Sequence, residues 1–138
     1  MGFSAMPILG AMLDEAVARL SAAGRDEARL QCEWLASAVA GCARLELPLR
    51  RAKTLAETPA RRLLEGVERL CAGEPLQYVL GESDFMGYSL KCDARALIPR
   101  PETEQLVAWM LASRNLWRMP LPLIADVGVG SGCIAVAL

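Results

Sequence analysis

Between Leu123 and Leu138 the chain reads LIADVGVGSGCIAVAL, and no other stretch leaves so few options for the fold. Leu123, Ile124, Ala125 and Val127 form a short apolar run of the kind a fully buried parallel strand needs, and the run ends where the glycines begin. Asp126 stands at its carboxyl end. Gly128, Gly130 and Gly132 then alternate with Val129 and Ser131, so the backbone can turn through positive φ and a ligand can approach main-chain atoms with no Cβ in the way. Ile134, Val136 and Leu138 among alanines predict the start of a buried helix, whose amino end offers free N–H groups and a favourable dipole to an anionic ligand group. Strand, glycine loop and helix in this order predict the beginning of a doubly wound α/β sheet.

Three ligand classes use such a unit, and the spacing separates them. A phosphate-cradling P-loop needs Lys followed by Ser or Thr after its second Gly, and no Lys lies in this stretch. A dinucleotide fingerprint starting at Gly128 and Gly130 requires Gly or Ala at position 133, where Cys133 stands, and an acid about 20 residues further on, past Leu138. The remaining pattern, D-x-G-x-G-x-G from Asp126, resembles motif I of the class I S-adenosylmethionine-dependent methyltransferases. That resemblance implies a loop passing beneath the methionine part of the cofactor, with the acid near its amino group.

A doubly wound domain needs several parallel strands with helices on both faces, so a 138-residue chain with its first such strand at Leu123 is expected to hold a small domain plus the beginning of another, a truncated protein. The formal net charge of −1 gives no electrostatic footprint for nucleic acid, and with 54% hydrophobic residues the composition is not that of a disordered chain. The doublets Arg50–Arg51 and Arg61–Arg62 read as solvated helix faces. The five cysteines, Cys32, Cys42, Cys71, Cys92 and Cys133, form no CxxC pair and the chain has no His, which argues against a metal site. An odd number of thiols, no cleavable signal and no apolar run of roughly 18 residues predict a reducing, cytoplasmic setting without a membrane span. Without His, any chemistry must use carboxylates, backbone groups or a cofactor that is already reactive.

From the amino end, residues 1–7 are expected to fray. Ile8, Leu9, Met12, Leu13, Ala16, Val17 and Leu20 repeat at helical spacing and predict a helix over 8–23 that Gly24 terminates. Asp26 is the expected cap of a second helix, with Ala28, Cys32, Leu35, Ala36 and Val39 on one face and Gly41 after its end. Leu45, Leu47 and Leu49 alternate, but Pro48 favours a connector over a strand. Thr58 as cap and Pro59 as first residue predict a third helix with the stripe Leu63, Leu64, Val67, Leu70 and Cys71, ending before Gly73. Three such helices make a small bundle over 1–73. Residues 74–100 read as a β-hairpin or extended linker, with short alternating runs around Phe85 and Tyr88 to Cys92. In Ile98 to Glu104, IPRPETE, two prolines hold Arg100 extended ahead of a helix over 102–113 whose first turn is acidic and whose apolar face is Leu106, Val107, Met110 and Leu111. Pro120, Leu121 and Pro122 lead into the glycine-loop strand, so 101–138 would be the first helix, strand and loop of the second domain.

Taken together, GEPLQYVLGESDFMGYSLKCDARALIPRPETEQLV and ADVGVGSGCIAVAL closely resemble the HemK-type protein-(glutamine-N5) methyltransferases, which modify the glutamine of the GGQ motif in peptide chain release factors, the proteins of translation termination. The resemblance implies a helical domain that helps recognise the release factor, a hairpin linker and a Rossmann-like methyltransferase domain that uses S-adenosyl-L-methionine, acting as a monomer with no nucleic-acid or membrane partner. It implies cofactor contacts from Gly128, Val129, Gly130, Ser131 and Gly132, in the family's GTGSG loop, from Asp126 as the preceding acid, and from Thr103, where related enzymes place a hydroxyl. Val129 departs from the usual Thr and loses a hydroxyl. The second cofactor acid and the Asn-Pro-Pro-Tyr motif that holds the glutamine amide belong downstream of Leu138, so the resemblance assigns no catalytic residue to these 138 residues. Two alternatives remain at this level: a non-catalytic helical module that docks on a protein, and an adenine-N6 nucleic-acid methyltransferase, which shares the Asn-Pro-Pro-Tyr clamp.

Overall fold

The computed structural model describes residues 6–118 and 122–138. The chain divides into two compact units, one ending at Leu80 and one beginning at Gly81.

The first unit is helical. Helix α1 (Leu9–Ala22) buries Leu9, Met12, Leu13, Ala16 and Leu20 along one stripe, as its spacing predicts. Helix α2 (Ala28–Ala40) contributes Ala28, Cys32, Leu35 and Ala36, and α4 (Glu57–Cys71) contributes Ala60, Leu63, Val67 and Leu70. Between them a 3-10 turn (Arg44–Glu46) leads directly into the single-turn helix α3 (Leu47–Arg50), so the Pro48 connector is helical and inserts Leu47 into the core. Residues 76–80, read as part of an extended segment, form the short helix α5 (Leu76–Leu80), whose Leu76, Val79 and Leu80 pack on the same core. Burial pushes the Cys32 thiol up to about 11, so it stays protonated and serves as a small apolar side chain.

How the helix ends are satisfied differs from the sequence reading. Neither Asp26 nor Thr58 caps a helix: α2 starts after Glu27, which lies in the left-handed region at φ +51°, and α4 starts after Ala56, placing Thr58 and Pro59 inside its first turn. Helix α1 has no side-chain cap either. Its first N–H groups are taken up by distant backbone, with Leu9 N–H donating to the Lys53 carbonyl and Gly10 N–H to the Arg51 carbonyl, both at 2.9 Å. Of the residues expected to fray, 1–5 lie outside the described residues, and Pro7 is held, its carbonyl accepting from Leu55 N–H at 2.8 Å. At the other end of α4, Gly73 (φ +94°) and Glu74 donate back to the Leu70 and Arg69 carbonyls, a closure that needs the left-handed conformation at Gly73. The Arg25 guanidinium covers this end and donates to the Cys71 carbonyl at 3.0 Å. Arg69 turns to α5, pairing with Glu74 (2.7 Å) and donating to the Tyr78 carbonyl (3.0 Å). In the basic doublets Arg50 pairs with Glu46, Arg51 with Asp14 and Arg61 with Glu65, and Arg62 is exposed.

The second unit opens with an antiparallel hairpin of β1 (Glu82–Phe85) and β2 (Tyr88–Lys91), with Phe85 opposite Tyr88 and Glu82 opposite Lys91. The two turn residues, Met86 (φ +53°) and Gly87 (φ +81°), both have positive φ, the geometry whose twist matches paired strands. Glycine takes this at no cost, whereas Met pays about 1–2 kcal/mol. Helix α6 (Pro101–Ala112) begins at Pro101 with Arg100 extended before it, and Glu102 and Glu104 lie in its first turn. Of its expected apolar face only Val107 is buried, while Leu106 and Leu111 are 46% and 43% exposed. A 3-10 turn (Leu116–Arg118) returns the Trp117 indole N–H to the Met110 carbonyl at 2.8 Å. The chain then reaches the glycine loop and the short helix α7 (Cys133–Ala137).

The parallel strand expected over Leu123–Val127 is not formed. Leu123 and Val127 are 98% and 94% exposed, and the residues carry no strand pairing. A parallel strand is stable only between neighbours that take up its N–H and C=O groups, and among the described residues the one sheet is the β1–β2 hairpin. The Rossmann-like beginning of the second domain is thus not seen here as a sheet. Pro120 and Leu121 of the approach to this segment lie outside the described residues.

A substitution at Gly10 tests the backbone-to-backbone start of α1. A Cβ there would stand 2.9 Å from the Arg51 carbonyl oxygen, which also accepts the Gly10 N–H. Ala favours a helix over Gly by about 1 kcal/mol, but overpacking costs about 1–3 kcal/mol, and this oxygen cannot retreat without losing its hydrogen bond. Gly10→Ala is therefore expected to lower the urea midpoint of the helical unit. An unchanged or raised midpoint would mean that residues 51–53 shift freely.

Candidate functional site

The glycine loop is shaped by backbone torsion. Gly128, Gly130 and Gly132 have φ of +80°, +54° and +77°, all in the region that L side chains rarely enter. A Cβ at Gly128 or Gly132 would meet nothing within 4 Å, and at Gly130 only the Gly128 carbonyl oxygen at 3.8 Å. Positive φ, not internal crowding, requires glycine here, and the side on which Cβ atoms are missing is open to an approaching molecule. The loop closes through Gly132 N–H donating to the Val129 carbonyl at 2.9 Å, and Gly132 leads directly into α7. The Val129 side chain points into solvent, and Ser131 is half-buried.

Asp126 precedes the loop and is half-buried, and its Oδ2 atom is buried without a hydrogen-bond partner. An acceptor left in that state costs about 1–3 kcal/mol, more when charged. The position is thus an acceptor lacking a donor, beside an open stretch of main chain.

Thr103 sits on the first turn of α6, half-buried, with its N–H donating to the Arg100 carbonyl at 2.9 Å. It is one helical turn from Val107 and shares that side of α6. Val107, Phe85 and Cys133 are the buried centre of the second unit, with Met86, Leu90, Ile134, Ala137 and Leu138 packed around them. This cluster joins the hairpin, α6 and the helix that follows the glycine loop. Of the residues expected at a cofactor site, Thr103 stands one helical turn before Val107, and Gly132 immediately precedes Cys133 of this cluster. Asp126, Gly128, Val129, Gly130 and Ser131 lie on the chain leading to it.

Two contributors were not apparent in the sequence. Phe85 fills the core beneath the loop's helix, and Glu104 accepts the Met86 N–H at 2.7 Å, from α6 to the hairpin turn. Glu104 lies in the acidic first turn that the sequence predicts for α6, but its partner is 18 residues away. Cys133, the residue that sets aside the dinucleotide fingerprint, has a packing role: it is buried against Phe85 and Val107.

Residues 11–81 match the model of the PrmC N-terminal domain. A release factor glutamine methyltransferase of Chlorobaculum tepidum is 47% identical over 118 residues, covering 82% of this chain and 40% of the relative. The proteins of the same description from Deinococcus radiodurans and Moorella thermoacetica are 38% and 39% identical, covering 92% and 91% of this chain and 45% and 44% of their own lengths. The chain belongs to the release factor glutamine methyltransferase family. It corresponds to the amino-terminal portion and spans somewhat less than half the length of these relatives. In this member the family match takes in α1 to α5, and the glycine loop lies beyond it. No helix among the described residues is long and apolar enough to cross a membrane.

The Phe85 cluster can be probed through a thiol. Cys133 is free and buried under Phe85 and Val107. Truncating a buried Phe to Ala costs about 3–5 kcal/mol, a large loss for so small a core. Phe85→Ala is expected to speed maleimide labelling of Cys133, located by mass spectrometry, at least tenfold, while the deeply buried Cys32 labels at its original rate. Equal labelling of Cys133 in both proteins would show that Phe85 does not hold α7.

Proposed function

We propose that this chain is the amino-terminal part of an S-adenosylmethionine-dependent enzyme that methylates the side-chain amide nitrogen of the GGQ glutamine in peptide chain release factors. In this reading residues 1–73 form the helical domain that helps recognise the release factor, 74–100 the hairpin linker, and 101–138 the start of the methyltransferase domain. The observation that carries it is the pairing of an open glycine loop with the donor-less Oδ2 of Asp126, in a chain of this family. The methionine end of the cofactor carries an ammonium group, the donor that Asp126 lacks, and is slender enough to lie along a main chain free of Cβ atoms.

When bound, S-adenosylmethionine supplies a sulfonium methyl that is already activated for displacement. The chain's part is to bind and orient. Asp126 accepts from the ammonium, Gly128, Gly130 and Gly132 let the loop approach closely, and Val129 and Ser131 shape the stretch between them. Thr103 offers a hydroxyl from α6. An amide nitrogen is a poor nucleophile because its lone pair is delocalised, so the remainder of the catalysis is aiming that nitrogen. The family assigns this to an Asn-Pro-Pro-Tyr motif outside these residues.

Two measurements test the reading. In the complete protein, Gly130→Val places a β-branched side chain at φ +54° on the open face of the loop. It is expected to abolish S-adenosylhomocysteine binding in calorimetry, and unchanged affinity in a folded variant would remove the loop from the site. The 138 residues alone are expected to incorporate no methyl group from labelled S-adenosylmethionine into a release factor, beside an active full-length relative. The Leu123–Val127 segment is unpaired in them, and orientation of the amide, absent here, is worth about 7–11 kcal/mol of barrier. Methyl incorporation by this chain would place the chemistry within it.

A further inference from the structure

The hairpin turn carries a residue that its own geometry disfavours. Met86 occupies the first position of a turn with two positive φ values, where Asn, Asp or Gly is the usual choice. Two contacts from outside the hairpin hold it there. Its half-buried side chain packs against the Phe85, Val107 and Cys133 cluster, and its N–H donates at 2.7 Å to Oε1 of Glu104, a charge-assisted bond of short length. Glu104 is half-buried, follows Thr103 in the first turn of α6, and lies three residues before Val107. Beyond the Phe85–Tyr88 pairing that flanks it, the turn has a long contact from Gly87 N–H to Asp84 Oδ1 at 3.4 Å.

We infer that Glu104 is a positioning residue for the cofactor site: by holding the Met86 N–H it fixes the hairpin turn, and through Phe85 and Cys133 it fixes the glycine loop. The links are consecutive in the structure. Phe85 is the last residue before the turn and is buried against Cys133. Cys133 is the first residue of α7, and Gly132 before it closes the loop onto the Val129 carbonyl. Releasing Met86 lets the turn relax toward negative φ and withdraws Phe85. Cys133 then loses its cover, and the loop loses its fixed end. Glu104 does not act on the ligand itself in this scheme, and the scheme rests on the cofactor reading of the loop.

The test uses the complete protein and two readouts, amide hydrogen exchange at Met86 without ligand and the calorimetric Kd for S-adenosylhomocysteine. Glu104→Ala is expected to speed Met86 exchange by at least tenfold and to weaken binding about tenfold. Glu104→Gln keeps an acceptor at the same reach and should return both to within about threefold of the parent. Met86→Asn makes the turn Asn-Gly, which adopts this geometry unaided. In that background Glu104→Ala should change the Kd less than threefold, and such non-additivity is the signature of action through the turn. Unchanged binding in Glu104→Ala overturns the inference. So does a loss that Met86→Asn leaves undiminished, since Glu104 would then act by another route. Should Glu104→Ala fail to fold, the Gln variant and the double variant decide by the same criteria. Absence of binding in the parent protein overturns the cofactor reading itself, and this inference with it. Binding lost in Gly130→Val but intact in Glu104→Ala overturns only this one.

Discussion

Every helix leaves backbone groups at its ends that need partners, and in this chain the answer to that need shapes the helical unit more than any single apolar contact. The start of α1 is joined to residues 51–53, far along the sequence, by two backbone hydrogen bonds and by the contact of Pro7 with Leu55. The end of α4 is closed by its own glycine and covered by Arg25 from the α1–α2 turn. Arg69 then carries the closure on to α5. A net backbone hydrogen bond is worth about 1 kcal/mol, but a buried group left without one costs more. These contacts therefore restrict which chain paths are allowed, and the apolar stripes fill the space so enclosed. Gly10 is the point at which the restriction is tightest, because two backbones approach there to within contact distance.

The second unit works with a much smaller core. Three buried side chains, Phe85, Val107 and Cys133, come from a hairpin, a helix and the helix after the glycine loop. With so few contacts, polar groups at the edges matter in proportion, and Glu104 links α6 to the hairpin. The glycine loop follows from this arrangement: its carboxyl end is anchored through Cys133, while its amino end continues into the exposed Leu123–Val127 segment. The buried, unpaired Oδ2 of Asp126 marks the boundary between the two. A buried acceptor without a donor is rare in a folded chain, and here it stands next to an open main chain.

Local pattern made much of this chain readable. Helical spacing located α1, α2, α4 and α6 to within a residue or two, because the 3.6-residue period is carried by the residue order itself, although of the apolar face expected on α6 only Val107 is buried. The hairpin, read alongside an extended linker, was legible from the short alternating runs around Phe85 and Tyr88 to Cys92, and the positive φ of the three loop glycines from their own spacing. The helix caps were not legible. Asp26 and Thr58 are good capping residues in isolation, but α2 starts after Glu27 and α4 after Ala56, and a side chain's capacity to cap does not reveal where the folded helix begins.

Residue order by itself determined the helix periods and the positive φ of the loop glycines, since these depend on torsions and side-chain types within a few positions. Tertiary structure alone decided that Lys53 and Arg51 begin α1, that 76–80 coil into a helix, that Glu104 meets Met86, and that Cys133 is core. It also decided that Leu123–Val127 remains unpaired. An apolar run states what a segment would bury, but a strand exists only when another segment supplies hydrogen bonds at its edges. That partner is a property of the assembled fold and not of the run.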